Sequence, residues 1–477
     1  MSAQSELPVV DRSELESLLK KQRKAYRNQP YPEADERRKR LATLKRMLLE
    51  NADAICAAID RDFNGRAYIE TRTIELLPSV MAINDASRNV KRWMRPQRKL
   101  APLLFQPVSA KVVPQPLGVV GVIVPWNYPL VLSVGPIISA LTAGNHVMVK
   151  MSEFTPDFGL LFAQLIAKYF EPGLLTVVNG DVDVAKSFTS LPFNHLLFTG
   201  STAVGKHIMS AASQNLTPVT LELGGKSPVF IDRSIPVREA AERLVYPKCL
   251  NAGQTCVAPD YVFCPAEQLD DFVQHYLKEA RYQVSDVSKN NDYSAIINER
   301  QRSRLLEYIV DAKMRGAKVY IAGPSDDLDY YGLKLPPIVL TNVNDEMAVM
   351  KEEIFGPILP VLTYKNLEEP LNYINDHPRP LALYIFGYEK ELRKVFTEKT
   401  HSGALLFNEA LIHVGIDNLP FGGVGASGMG HYHGKYGFET LSKLKPVVSK
   451  QRLSSLKLIY PPYKSGFMNL LMRVFGR

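Results

Sequence analysis

From Gly118 onward, short apolar runs alternate with longer stretches of helical period, and this alternation constrains the fold more than any other feature of the chain. "GVVGVIVP", "HVMVK", "LLTVVNG", "HLLFTGS", "PVTLELGG" and "SPVFID" are apolar segments too short for helices. Between them, "LVLSVGPIISALTAG", "PDFGLLFAQLIAKYF" and "VGKHIMSAASQN" read as helices. Strand and helix in turn predict a parallel sheet covered on both faces. A second alternating stretch runs from about Val229 to Leu411, with "RSRLLEYIVDAKMRGAKVYIAG" as a helix–strand pair. The first hundred residues are helical in pattern: "EADERRKRLATLKRMLLENADAICAAIDRDF" places apolar residues at three- and four-residue steps. "LLFQPVSAKVVPQP", beginning at Leu103, is rich in β-branched residues and proline and reads as strand or hairpin. No internal repeat, low-complexity segment or flexible linker interrupts the chain, so two closely packed lobes are expected.

Composition excludes several classes. At 477 residues, 46% hydrophobic and 22% charged, the chain has ample core for two or three domains. No segment approaches the ~20 apolar residues that span a bilayer. The N-terminal stretch has no apolar h-region, so it does not read as a secretory signal. The four cysteines, Cys56, Cys249, Cys256 and Cys264, form no C-x-x-C pair and no disulfide framework, which suits a reducing cytoplasm. The formal net charge of +8 is matched by eight basic residues between Leu441 and the end, where no acidic residue occurs. The remaining body is balanced, so no nucleic-acid groove is expected.

Several motifs could carry chemistry. "NAGQTCVAP" surrounds Cys256 with small residues, leaving room for a substrate carbon and for backbone N–H groups at the sulfur. Cys249 and Cys264 sit among bulkier or proline-flanked neighbours and read as structural. In "PVTLELGGKSP", Glu222 stands in an apolar strand, a costly position that raises a carboxyl pKa and suits a general base. A structural glutamate capping backbone N–H groups would look the same. "VPWNYPL" offers Asn127 at a strand end, as an oxyanion donor or as a turn residue before Pro129. "HLLFTGSTAVGKHIM" runs a strand into Gly200, Ser201 and Gly205 and then a helix, a geometry that cradles phosphate or simply ends a strand. "HVMVKMSE" ends a strand in Lys150 and Glu153, a pair for two ribose hydroxyls or a solvated ion pair. His431 and His433 in "GHYHG" lack the further ligands a metal site needs, so no metal is expected.

In combination these segments resemble the aldehyde dehydrogenase superfamily. "PWNYP", "GNHVMVKMSE", "FTGSTAVGK", "LELGGKSP", "NAGQTC", "EEIFGPILPV" and "LPFGGVGASGMGHYHGKYGFETLS" stand in the family's order, from about Leu117 to Leu441. The short N-terminus and the "YHGKYGFETLS" continuation resemble the class 3 branch. "QPLGVVGVIVPWNYPL" and "KMSEFTP" are similar to the bacterial coniferyl aldehyde dehydrogenases. The resemblance implies an α/β fold with two Rossmann-like, doubly wound parallel-sheet domains and a small β bridging element. Residues 1–97 and 120–222 would form the dinucleotide-binding domain and 223–411 the catalytic domain. Residues 98–119 with 412–450 would form the bridging, oligomerisation element, and 451–477 a basic tail. It implies Cys256 as nucleophile, Glu222 as base and Asn127 with the Cys256 N–H as oxyanion hole. It implies Lys150 and Glu153 at the adenosine ribose, and Gly200, Ser201 and Gly205 at the pyrophosphate. Glu353 would meet the nicotinamide ribose and Phe355 would pack near its ring. Met151 departs from the proline common at this point in class 3 relatives. NAD is the implied cofactor, with NADP also accepted in this class, and a homodimer is implied as well.

The expected reaction is oxidation of an aldehyde, an aromatic one such as coniferyl aldehyde foremost, to its acid through a thiohemiacetal and thioester on Cys256. A carboxylate at position 222 favours water over coenzyme A as acyl acceptor. Competing readings are a medium- or long-chain fatty aldehyde dehydrogenase, a cofactor-independent thiol hydrolase and a non-catalytic relative. Tyr128, Ile412, Phe421 and His433 are candidates for the substrate pocket. "GFMNLLMRVFGR" has helical spacing and basic charge, suited to weak contact with an anionic membrane surface or to docking on its own protein.

Overall fold

The computed structural model describes residues 10–102, 105–450, 452, 460–462 and 465–476. Helices of the first lobe include Arg12–Asn28, Ala34–Glu50, Ala52–Phe63, Leu77–Trp93, Val131–Ala143, Pro156–Tyr169 and Thr202–Ser213. In chain order the strands are β1 (Gln97–Lys99), β2 (Val108–Pro116), β3 (Val119–Ile123), β4 (His146–Lys150), β5 (Leu175–Val178), β6 (His195–Gly200), β7 (Val219–Leu223) and β8 (Pro228–Ile231). They continue as β9 (Tyr261–Pro265), β10 (Lys318–Ile321), β11 (Ile338–Thr341), β12 (Ile358–Tyr364), β13 (Ala382–Phe386), β14 (Ala404–Phe407), β15 (Gly428–Met429) and β16 (Ser442–Lys450). Each apolar run quoted above from residues 118 to 232 is a strand, and each helical run between them is a helix.

Two large sheets organise the molecule. The first has the order β15-β7-β6-β3-β4-β5 and the second β10-β11-β12-β9-β8-β13-β14. Both are parallel except at an edge, where β15 and β10 run antiparallel to β7 and β11. Strands β3, β4 and β13 are buried along their whole length, which explains their unbroken apolar character. One face of the first sheet carries Leu41, Leu44, Ile137 and Phe162; the other carries Leu15, Leu19 and Ile208. A third sheet of order β1-β2-β16 pairs the segments near 108–116 and 442–450 antiparallel, from Val108↔Lys450 to Pro116↔Ser442. These segments are more than three hundred positions apart. Leu103 and Leu104, at the start of the strand expectation there, lie outside the described residues.

Between β7 and β8 the chain crosses from the first large sheet to the second through Gly224, Gly225 and Lys226. The carboxyl ends of β3, β6 and β7, adjacent in the first sheet, therefore face the second unit. In sheets of this kind, ligands bind beyond the carboxyl ends.

Candidate active site

Two cavities meet at one cysteine. The larger, about 790 Å³, is walled by Pro125–Asn127 after β3, Gly200–Ala203 after β6 and Gly224–Lys226 after β7, with Glu353 and Phe355 opposite. The second, about 580 Å³, is walled by Trp93, Tyr128, Phe421, Tyr432 and His433 among others. Cys256 lines both. It is the one cysteine of the four that is partly exposed, though its surroundings are largely closed off.

The loop that presents Cys256 is held by an amide lattice. Asn251, Ala252 and Gly253 all have left-handed backbone, with φ of 50°, 52° and 75°. Such a run is costly for non-glycine residues and persists only where surroundings enforce it. Asn251 Nδ2 donates to Asn127 O at 2.9 Å, and Gln254 Nε2 donates to Asn251 O at 2.9 Å and Ala295 O at 3.0 Å. Gln254 Oε1 accepts the Ile297 N–H at 2.9 Å. A Cβ on Gly253 would fall 2.4 Å from Gly356 O, so the position needs glycine for space as well as for φ. The amide of Asn127 donates to Gln254 O at 3.1 Å, and Tyr128 Oη shares a 2.7 Å hydrogen bond with Thr255 Oγ1.

Electrostatics at the sulfur oppose ionisation. Burial first, then the carboxylates of Glu353 and Glu222, push the Cys256 thiol up to about 12. The backbone N–H groups of Cys256 and Val257 pull the other way. Burial raises Glu222 well above the ordinary carboxylate range, and neither of its oxygens has a protein hydrogen-bond partner. Burial also raises Glu353 to about 8, opposed by the Gly225 N–H and by Lys226 and Arg304. A Cβ on Gly224 would fall 1.9 Å from Glu353 Oε2, so glycine there makes room for this carboxylate. Phe355, at φ 50°, sits edge-on to Trp126 with centroids 5.3 Å apart.

The larger cavity fits a dinucleotide's anionic and ribose groups. Gly200, Ser201 and Thr202 open the helix Thr202–Ser213 into it, with Lys206 one turn on, and free N–H groups at such an end suit phosphate. Gly205 lies behind this wall. A Cβ there would meet Leu223 Cδ2 at 2.6 Å, so this glycine lets the helix sit on β7. Lys150 ends β4 and Glu153 follows it, but neither lines the cavity. The Lys150 ammonium donates to Met151 O at 2.7 Å and Gly180 O at 2.8 Å.

Tyr128, Ile412, Phe421 and His433 all line the second cavity. Phe421 is flanked by two imidazoles: His433 stacks on it at 5.1 Å and His413 lies tilted at 5.9 Å. Burial lowers both histidines to about 4, so the rings are neutral. Among the described residues, no group of three or more His, Cys, Asp or Glu is arranged to hold a metal ion. Sequence reasoning missed Gln254, Asn251 and Tyr432, whose partners lie in other segments.

A cysteine set between a cleft at strand ends and a second, largely apolar chamber is an arrangement suited to a cofactor-dependent enzyme. The model of the aldehyde dehydrogenase family matches residues 2–447, and the chain belongs to that family. It is 51% identical over 468 residues to the "Probable coniferyl aldehyde dehydrogenase" of Pseudomonas aeruginosa, covering 98% of this chain and 97% of that one. The substrate-bound structure of Staphylococcus aureus AldH is similar at TM-score 0.91 and 34% identity, covering 97% of this chain and 99% of that chain. A Mycobacterium tuberculosis aldehyde dehydrogenase complexed with NAD+ is similar at TM-score 0.84 and 27% identity, covering 94% and 92%.

Proposed function

We propose that this chain oxidises an aromatic aldehyde of the coniferyl type to its carboxylic acid with NAD. The observation that carries the reading is the position of Cys256 in the wall of both cavities. The relative from Pseudomonas aeruginosa, named for coniferyl aldehyde, and the aromatic walls of the second cavity support the aromatic substrate. NAD is supported by the likeness to the NAD+ complex and by the fit of the larger cavity. Gly200, Ser201, Thr202 and Lys206 would hold the pyrophosphate, Glu353 the nicotinamide ribose, and Phe355 would pack at the ring. Lys150 and Glu153 would take the adenosine ribose, Lys150 exchanging a backbone carbonyl for a hydroxyl.

Each residue then has a task. Cys256 passes its thiol proton to a solvent water, and its sulfur forms a bond to the aldehyde carbon while the carbonyl π pair moves onto oxygen. Asn127 and the Cys256 N–H hold that oxyanion; removing one such donor typically costs ~3 kcal/mol. When bound, the nicotinamide supplies the acceptor for the hydride released by the substrate carbon. Cys256 keeps the acyl group as a thioester. Glu222, made more basic by burial, takes a proton from water, whose oxygen bonds to the acyl carbon as the C–S bond breaks.

The same proposal assigns residues 1–97 and 120–222 to dinucleotide binding, 223–411 to catalysis and 98–119 with 412–450 to bridging. It includes a homodimer through the open edge of β16, where Leu444 and Val448 are 44% and 67% exposed. It includes a cytoplasmic location. No helix of the described residues is long and apolar enough to cross a membrane. The helix Ser465–Phe475 exposes Leu470, Met472 and Val474 beside Arg473, and weak contact with an anionic membrane surface is part of the reading. The side chains of Phe467, Leu471 and Phe475 lie outside the described residues. Truncation after Tyr463 should reduce co-sedimentation with anionic liposomes; unchanged co-sedimentation removes that part.

A kcat/KM panel over hydroxycinnamaldehydes, benzaldehydes and medium-chain aliphatic aldehydes, each with NAD and NADP, tests the function. The highest value is expected for a hydroxycinnamaldehyde with NAD. A preference for aliphatic aldehydes overturns the aromatic assignment. Ester hydrolysis without cofactor reduction overturns the dehydrogenase mechanism.

A further inference from the structure

The chemistry of Cys256 leaves one buried ion cluster without a task. Arg66 is 2% exposed, with its guanidinium over the rings of Phe63 and Tyr128 at 4.9 and 4.8 Å. Its Nη2 lies 3.2 Å from Glu75 Oε1 and 3.7 Å from Glu70 Oε1. Burying three such groups is a poor way to gain stability, because apolar replacements of similar volume are often neutral or better. The cluster's other contacts give it a different use.

Arg66 Nη1 donates to the backbone oxygen of Asn127 at 2.8 Å, the same atom that accepts from Asn251 Nδ2. Glu75 Oε2 accepts the N–H groups of Leu130 and Val131 at 2.8 and 3.1 Å. Glu70 Oε2 accepts the Ser294 hydroxyl at 3.2 Å, and the backbone N–H of Asn251 faces the carboxylate and favours its charge. One cation and its two carboxylates thus tie the loop after β3 to the loop before Cys256. Glu75 lies within a π-helical turn, Thr71–Leu76, a wide turn that often marks functional sites.

We propose that Arg66 is a positioning residue for the oxyanion donor. It fixes the main chain of Asn127 while Gln254 O holds one amide hydrogen, so the second amide hydrogen converges with the Cys256 N–H on the substrate oxygen. The inference rests on the reading of Asn127 given under the proposed function. Lysine at 66 would keep a charge between Glu70 and Glu75. A single ammonium lacks the planar fork that serves two carboxylates and a carbonyl together.

A double-mutant cycle on the full chain tests it, with R66K, N127A and the pair measured over ranges of both NAD and cinnamaldehyde. N127A should lower kcat about 100-fold or more, and R66K about tenfold with KM for NAD unchanged. In the N127A background, R66K should cost less than about twofold. An equal loss from R66K in both backgrounds means general loosening and overturns the inference, as does an R66K enzyme with wild-type kcat. Wild-type kcat in N127A instead overturns the reading of Asn127, and the two failures are distinguishable. Should R66K fail to fold, R66M/E70Q/E75Q, which leaves no unpaired buried charge, enters the same cycle under the same criteria.

Discussion

The two cavities on either side of Cys256 are built in opposite ways. The larger draws much of its wall from the ends of three neighbouring strands, so short contiguous motifs supply backbone N–H groups, Ser201, Lys206 and Glu222. The smaller is assembled from Trp93, Tyr128, Tyr246, Phe421 and His433, which come from distant parts of the chain. One is a cleft with charged side chains such as Lys206, Glu222, Arg304 and Glu353, set by topology; the other is a chamber with few charges, set by packing. The comparison teaches that a sulfur facing both need only be positioned once. The left-handed run at Asn251–Gly253 and the Gln254 lattice do this from within the backbone.

Substitutions on either side can break that contrast. Removing the shared atom should have the largest effect: C256A should lower kcat/KM at least about 10⁴-fold while NAD binding, read by fluorescence titration, persists. On the aromatic side, F421A should raise KM for cinnamaldehyde about tenfold and leave KM for NAD unchanged, because it removes ring area and stacking. On the cleft side, K206A should do the reverse, raising KM for NAD a few-fold and sparing the aldehyde. If either variant moves both constants together, the two cavities are not functionally separate.

A smaller effect follows from the charges. Glu353 raises the Cys256 thiol and itself titrates near 8. Below that pH it is protonated and exerts little repulsion; above it, its charge keeps the thiol protonated. Iodoacetamide should therefore alkylate E353Q at the wild-type rate at pH 6.5, and a few-fold faster at pH 9. A uniform gain at both pH values would remove Glu353 as the source.

The contrast also explains what the sequence could reveal. Strands β3 to β8 were legible because they are largely buried, which leaves unbroken apolar runs; the helices Val131–Ala143, Pro156–Tyr169 and Thr202–Ser213 were legible too, but the short helix Val182–Thr189 was not. Cys256, Glu222, Asn127, Gly200, Ser201, Glu353 and Phe355 all line the cleft. Gly205 reads like a phosphate glycine in sequence, yet its space is taken by Leu223. Lys150 ends a strand, but its hydrogen bond to Gly180 O is a tertiary fact that no local pattern carries. Arg66 and Glu70 look like an ordinary exposed helical ion pair at four-residue spacing. Only the three-dimensional packing of Phe63 and Tyr128 over the guanidinium makes that pair an interior one.

The central claim is that Cys256 carries the acyl group between oxidation and hydrolysis. Mixing E222Q with NAD and cinnamaldehyde, quenching in acid and mapping peptides by mass tests it most directly. The account predicts one cinnamoyl group on the peptide containing Cys256, formed in step with a stoichiometric burst of NADH. A burst of NADH that leaves Cys256 unmodified, or an acyl group on another residue, would contradict it.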